Sequence, residues 1–221
     1  MAYLTIACDA VLFDLDGVLV DSRAVVERTW ERWAARHGRD VRSIVATAHG
    51  RRSSDTIRQI APDLDVATEV RWLDEAELHD VEGLRALPGA AAALHGLPDT
   101  RRAVVTSGGR ELATMRLRNV GLDVPAVFIT SEEVSIGKPD PAGYLLAARR
   151  LGCEPRRCVV VEDTNPGITA GRAAGCRVVA VTTTFGPASL HGADVVVRSL
   201  SHVVVSLDEQ RVRLTIKREH A

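Results

Sequence analysis

Apolar residues in this chain fall into short unbroken runs. The clearest are AVLFDLD at 10–16, RAVVTS at 102–107, AVFIT at 126–130, CVVVED at 158–163, RVVAVT at 177–182 and ADVVVRS at 193–199. A strand with one wet face alternates polar and apolar residues, whereas one covered on both faces does not. These runs therefore predict buried strands of a parallel sheet. The stretches between the later runs carry helix signals. Asp140-Pro141 places a capping carboxylate and a proline ahead of AGYLLAARRLG, which stops at Gly152. Asn165-Pro166 repeats the device before GITAGRAAG, and RELATMRLRNVG sets Leu112, Met115 and Val120 on one face before Gly121. Strands alternating with helices of this length predict an α/β fold.

One gap breaks the rhythm. From Ser22 to about Leu87 the pattern is helical, with Ser22 placed to cap a helix that turns Val25, Val26, Trp30 and Trp33 inward. Asp65 is placed to cap another, with Val66, Val70 and Leu73 on one side, and Leu87-Pro88-Gly89 punctuates the return. The expected organisation is a core of residues 1–20 and 88–221 with a helical insertion, 21–87, directly after the first strand. His37 and His79 occupy polar helix positions and are expected at the surface. The tail from Ser199 reads either as a small added strand or as a frayed end with solvated basic residues.

Composition narrows the class. The 221 residues, 46% hydrophobic and 26% charged, suffice for one full core plus an inserted subdomain. A net charge of −1 offers no electrostatic case for nucleic acid or an acidic membrane surface. The arginine doublets at 51–52, 101–102, 149–150 and 156–157 are scattered rather than clustered. Cys8, Cys153, Cys158 and Cys176 show no C-x-x-C spacing, which suits a reducing compartment. The N-terminus lacks the basic region of a signal peptide, and no apolar run reaches the length of a membrane span. A cytoplasmic protein without nucleic-acid or membrane partners is expected; oligomeric state is not legible, and a monomer is the simplest expectation.

Open α/β sheets bind ligands at the carboxyl ends of their strands, and four polar clusters lie at such ends or in a loop beyond one. Asp14 and Asp16 leave the first run, with Gly17 beside them to admit a ligand to the backbone. Thr106, Ser107 and Gly108 end the second run with hydroxyls and backbone amides, the makings of an anion cradle. Lys138 stands in SIGKPDP, and Glu162-Asp163 follow CVVV. Singly these are weak: T-S-G-G reads equally as a turn, Lys138 as a solvated lysine, and Glu162-Asp163 as a helix-dipole partner. A calcium loop is excluded, because the sixth and twelfth positions from Asp14 are Leu19 and Val25 rather than glycine and glutamate. Together, carboxylates from two strands suit a hard cation, Mg²⁺ first, and the hydroxyls, amides and lysine suit a phosphate.

In D-x-D-G-V-L-x-D-S at 14–22, T-S-G at 106–108, G-K-P at 137–139 and E-D-x-x-x-G at 162–167, the chain resembles the haloacid dehalogenase superfamily. The resemblance is to its phosphatase and phosphomutase branch, and it spans nearly the whole chain. It implies a Rossmann-like core, a mobile α-helical cap and Mg²⁺-dependent phosphoryl transfer. Carried over by position, Asp14 would be the nucleophile that forms an aspartyl-phosphate. Asp16 would protonate the leaving oxygen and then activate water. The metal would sit on the Asp14 carboxylate, the Asp16 carbonyl and Asp163, with Glu162 bound to it or just behind. Thr106 and Lys138, assisted by Ser107 and the Gly108 backbone, would hold the phosphoryl oxygens.

Within that family, dehalogenases lack the second aspartate, whereas Asp16 is present here. Phosphonatases use a cap lysine, and residues 22–87 contain none. The phosphomutase of the β-phosphoglucomutase type carries a histidine about ten residues after the acid–base aspartate, and Val26 stands there. Phosphatase is the reading that remains, ahead of that mutase and of a non-catalytic phosphate-binding module. The cap stretch TAHGRRSSDTIRQI, 47–60, is similar to the loop with which sugar- and polyol-phosphate phosphatases reach substrate hydroxyls. That similarity makes His49, Gly50, Arg51 and Arg52 the specificity candidates and a small phosphorylated metabolite the expected partner. In the alternative reading, Ser53 or Ser54 caps the following helix and the arginines are solvated.

Overall fold

The computed structural model describes residues 3–208 and 211–217, the side chains of Ser43 and Ala46 excepted. Strand β1 (Tyr3–Cys8) is followed by β2 (Ala10–Phe13) and the two-residue β3 (Val20–Asp21). Four helices then come in succession: α1 (Arg23–His37), α2 (Val41–Ala48), α3 (Ser53–Ile60) and α4 (Val66–Leu78). After β4 (Arg85–Ala86) the chain alternates: α5 (Ala90–His95), β5 (Arg102–Val105), α6 (Arg110–Asn119), β6 (Phe128–Ile129), α7 (Ala142–Arg150), β7 (Cys158–Glu162), α8 (Asn165–Ala173), β8 (Arg177–Val181) and β9 (Val195–Val197). A hairpin, β10 (Val203–Asp208) and β11 (Arg211–Lys217), completes the described residues.

The main sheet has the order β6-β5-β2-β7-β8-β9, and every neighbouring pair is parallel. It explains the unbroken apolar runs. Val11, Phe13, Val104, Val159 and Val161 point into one core, while Ala10, Leu12, Ala103, Val105 and Val160 point into another on the opposite face. This is the parallel α/β core with a helical insertion that the strand and helix patterns predict, and the Rossmann-like arrangement that the resemblance implies. The insertion has a core of its own, built on Trp30, Trp33, Ile44, Ile57 and Leu73. Its entry and exit are paired side by side, Val20 with Ala86 and Asp21 with Arg85.

Several local expectations are corrected. Ser22 precedes α1 but makes no side-chain cap; its hydroxyl goes to Asp16 instead. Thr164 rather than Asn165 caps α8, accepting the Gly167 N–H, and the Asn165 side-chain Oδ1 accepts the His191 backbone N–H instead. His37 is not a surface residue: its ring hydrogen-bonds to the buried Glu69, which also accepts the Trp33 indole N–H. The tail is ordered sheet as far as it is described. Val212, Leu214 and Ile216 of β11 alternate into the core, and β11 pairs antiparallel with both β1 and β10. The basic residues after Lys217 lie outside the described residues. Among the described residues, no helix is long and apolar enough to cross a membrane.

Candidate active site

The site is assembled at the carboxyl ends of the central strands. Asp14 follows β2, and its N–H donates to the Val161 carbonyl at 3.0 Å, which extends the ladder by one residue. Thr106 is fixed likewise beyond β5 by a 2.9 Å bond from its N–H to the Ile129 carbonyl. Glu162 is the last residue of β7, and Asp163 is the next. Lys138 reaches in from the loop before α7, where its Nζ donates to Asp14 Oδ1, to Glu162 Oε1 at 2.7 Å and to the Val105 carbonyl at 3.3 Å. Three acceptors use all three ammonium protons.

Glu162 is saturated as well. Its Oε1 accepts from Lys138 and the Tyr144 hydroxyl, while Oε2 accepts the N–H groups of Asp163 and Thr164 and the Thr164 hydroxyl. A methyl group on Gly167 would overlap this carboxylate, which accounts for the glycine in E-D-x-x-x-G. With both oxygens engaged, Glu162 positions Lys138 and the strand end and has little left to offer a metal. Asp163 is different. Its Oδ2 accepts the Thr184 hydroxyl, but Oδ1 is buried with no hydrogen-bond partner among the described residues.

Asp14, Glu162 and Asp163 offer oxygens that all lie within 4.8 Å of one another, and all three are buried. One lysine cannot neutralise three carboxylates, so the cluster is short of positive charge. Burial pushes the Asp14 carboxyl up to about 8 despite Lys138, and burial with its acidic neighbours carries Asp163 well above the carboxylate range. Burial would raise Glu162 too, but the charge and hydrogen bond of Lys138 bring it below the usual value. An all-oxygen donor set, the orphaned Asp163 Oδ1 and the charge deficit together fit a hard divalent cation. Gly17 lets the cluster close. It sits at φ +83°, and a Cβ there would lie 2.5 Å from Asp163 Cγ.

Asp16 faces the opposite way, toward the insertion. Its Oδ1 accepts the Ser22 hydroxyl at 2.6 Å and Arg116 Nη1 at 2.7 Å. Arg116 belongs to α6 of the core, and its Nη2 pairs with Glu77 on α4 of the insertion. The helical face expected for α6 is corrected here: Leu112, Ala113, Arg116 and Leu117 are buried, whereas Met115 and Val120 are only half-buried. A charged residue four positions after Leu112 on the buried face was the available signal for Arg116, and sequence reasoning missed it. It also missed Asp74 and Glu77, whose carboxyls burial lifts to about 6 and about 7.

A cavity of about 140 Å³ lies between core and insertion, lined by Asp14, Asp16, Thr106, Asp74, Glu77 and Arg51 among others. The remaining candidates divide around it. The Thr106 hydroxyl receives the Gly108 N–H at 3.0 Å, and the Ser107 hydroxyl donates to the Gly50 carbonyl at 3.2 Å. Gly108 and Ser107 thus brace the loop and its contact with the insertion, and both share the cavity wall with Thr106, whereas Lys138 is bonded to Asp14 and Glu162 and is not part of that wall. His49 lines the cavity with Nδ1 bonded to the Val45 carbonyl and Nε2 buried without a partner among the described residues. The Arg51 guanidinium has no ion pair among the described residues. Arg52 lines the cavity as well, but its guanidinium pairs with Asp55 and donates to the Val134 and Ser135 carbonyls of the core, so it latches the insertion to the core. Neither Ser53 nor Ser54 caps α3 through its side chain, and Arg52 is not solvated.

Comparison with known proteins agrees with this architecture. Residues 8–175 match the haloacid dehalogenase-like hydrolase family. Hexitol phosphatase A of Escherichia coli is 42% identical over 90% of this chain and 94% of its own. Glycerol-1-phosphate phosphohydrolase 2 of Saccharomyces cerevisiae is 34% identical over 89% and 84% respectively. The crystal structure of β-phosphoglucomutase from Clostridium difficile superposes with a TM-score of 0.76 at 21% identity, covering 88% of this chain and 92% of that one. At that identity the likeness is one of fold alone. The chain belongs to the haloacid dehalogenase-like hydrolase family, and it is a phosphatase.

Proposed function

We propose that this phosphatase hydrolyses the phosphomonoester of a small sugar or polyol, with Mg²⁺, through an aspartyl-phosphate on Asp14. The observation that carries the reading is the buried cluster of Asp14, Glu162 and Asp163 against a single lysine, open to a cavity beside Asp16. Asp14 and Asp163 would hold the ion, which when bound supplies charge neutralisation between a phosphate and a negative nucleophile. The Asp14 carboxylate attacks phosphorus, and the bond to the leaving oxygen breaks as Asp16 delivers a proton to it. Asp16, now a base, takes a proton from the water that releases phosphate and restores Asp14. Thr106, on the cavity wall, would donate to the phosphoryl oxygens, where charge accumulates in the transition state, while Lys138 holds Asp14 and supplies positive charge beside it.

The choice of substrate rests on the relatives, two of which are named for hexitol and glycerol phosphates, and on a cavity wall rich in hydrogen-bonding groups. Val26 lines the cavity where the mutase pattern would have histidine, which favours hydrolysis over phosphoryl return. The test is phosphate release from a panel of sugar and polyol phosphates, with and without Mg²⁺. Asp14→Asn is expected to abolish it; Mg²⁺-dependent turnover by a clean Asp14→Asn preparation would remove the nucleophile from the scheme.

A further inference from the structure

Arg116 is the only residue of α6 that contacts both Asp16 and the insertion through hydrogen bonds among those described. Its side chain is 4% exposed, and it reaches carboxylates on two different bodies: Asp16 in the loop after β2, and Glu77 on α4. Its Nη1 and Nη2 are used on these two partners, and Nε is buried with no partner among the described residues. Nothing else described holds the guanidinium. A planar fork gripped at both tips has one orientation; gripped at one tip, it can swing.

We propose that Arg116 is a positioning residue that sets the Asp16 carboxylate for proton transfer only while the insertion, through Glu77, is shut over the site. The inference rests on the reading of Asp16 as proton carrier. Oδ1 of Asp16 is occupied by Ser22 and Arg116, so Oδ2 is the oxygen that exchanges a proton with the leaving group. The Asp16 side chain is 28% exposed, and the residue lines the cavity, so Oδ2 has somewhere to act. When the insertion moves off, Glu77 departs with α4 and the fork loses one of its two anchors. Proton delivery is thereby tied to a closed site, which a buried ion pair can achieve without contributing net stability.

Leaving-group dependence reads out this role. As the Asp14–phosphorus bond forms and the old ester bond breaks, a sugar or polyol oxygen needs the Asp16 proton, whereas 4-nitrophenolate leaves as a stable anion. Steady-state turnover of a hexitol phosphate and of 4-nitrophenyl phosphate is measured for Asp16→Asn, Arg116→Gln, Glu77→Ala and the Asp16→Asn/Arg116→Gln double variant. The losses are compared in kcat/KM, which ends at release of the leaving group, because the later attack of water on the aspartyl-phosphate needs Asp16 equally for both esters. General acid catalysis is worth about 10²–10⁴-fold, so Asp16→Asn should lose at least about 100-fold more kcat/KM on the hexitol ester than on the aryl ester. Arg116→Gln and Glu77→Ala should show the same selectivity at about tenfold, and the double variant should be no slower on the hexitol ester than Asp16→Asn alone. Alanine is a good helix former, so Glu77→Ala keeps α4 intact and decides the matter should Arg116→Gln fail to fold. Equal losses on both esters in the Arg116 and Glu77 variants, or an additive double variant, would overturn the inference while leaving the phosphatase reading in place. Equal losses on both esters in Asp16→Asn would instead remove the proton carrier itself.

Discussion

Gly17→Ala is the sharpest single test of the metal cluster. Two separate costs follow from the geometry. The first is backbone: φ at this position is +83°, and an L-residue in the left-handed region costs about 1–2 kcal/mol. The second is a collision. The new Cβ would stand 2.5 Å from Asp163 Cγ and 2.9 Å from Thr184 Oγ1, where ordinary contact begins at 3.4 Å. The Asp163 carboxylate must therefore retreat by roughly 1 Å, and Mg²⁺ coordination at about 2.0–2.1 Å with near-ideal geometry does not tolerate that. Displaced ligand supports typically cost about 10–100-fold in metal affinity. Phosphate release titrated with Mg²⁺ should thus show a half-saturating concentration raised at least about tenfold. Without Mg²⁺, the backbone term alone should lower Tm by about 2–8 °C, taking about 2–4 °C per kcal/mol for a chain of this size. Gly38→Ala is the control, because Gly38 sits at φ +62° with nothing within 4 Å of a Cβ. It should lose stability and keep the Mg²⁺ dependence. Wild-type Mg²⁺ dependence in Gly17→Ala would refute the placement of Asp163 as a ligand.

Two further outcomes follow from groups elsewhere in the site. Asp14 and Asp163 hold protons more tightly folded than unfolded, so the stability associated with them is complete below the unfolded value near 3.8. It is lost as pH rises through about 8, the value reached by Asp14. A divalent ion replaces those protons, so the Tm gain on adding Mg²⁺ should be larger at pH 8 than at pH 6; an equal gain at both would contradict the charge deficit. Arg52→Ala removes two hydrogen bonds from the insertion to core carbonyls and one of the two arginine partners of Asp55. It should raise KM for the preferred phosphoester by about tenfold or more, with a smaller change in kcat, since charged hydrogen bonds are worth about 1.5–3 kcal/mol each. An unchanged KM would show that the latch does not govern closure.

Much of this site is written in contiguous residues. Each of Asp14, Thr106 and Glu162-Asp163 terminates or follows an apolar run, so its place at a strand end can be read from hydrophobic pattern alone. What the pattern hid was pairing at a distance. Arg116 and Asp16 are 100 residues apart, and Arg116 and Glu77 are 39 apart, so no local signal links them. The capping errors have a related cause. Ser22 has a side chain fit to cap α1, but its hydroxyl finds a stronger, charged acceptor in Asp16. The tail from Ser199 stays open between an added strand and a frayed end although β11 alternates cleanly, because its buried face is defined only once β1 and the main core lie beneath it.

The pairing of β3 with β4 gives the insertion a narrow stem. Seen from the main sheet, residues between Asp21 and Arg85 form the tip of one hairpin, and the register of β2 against β5 does not depend on how long that tip is. Length changes and wholesale exchange of the insertion are therefore confined by geometry to the wall of the cavity that faces the variable part of a substrate. Asp14, Thr106, Lys138 and Asp163 are all carried by segments outside the stem. A scaffold built this way can acquire new specificity by replacement of one module, while the residues that handle phosphate inherit their positions unchanged.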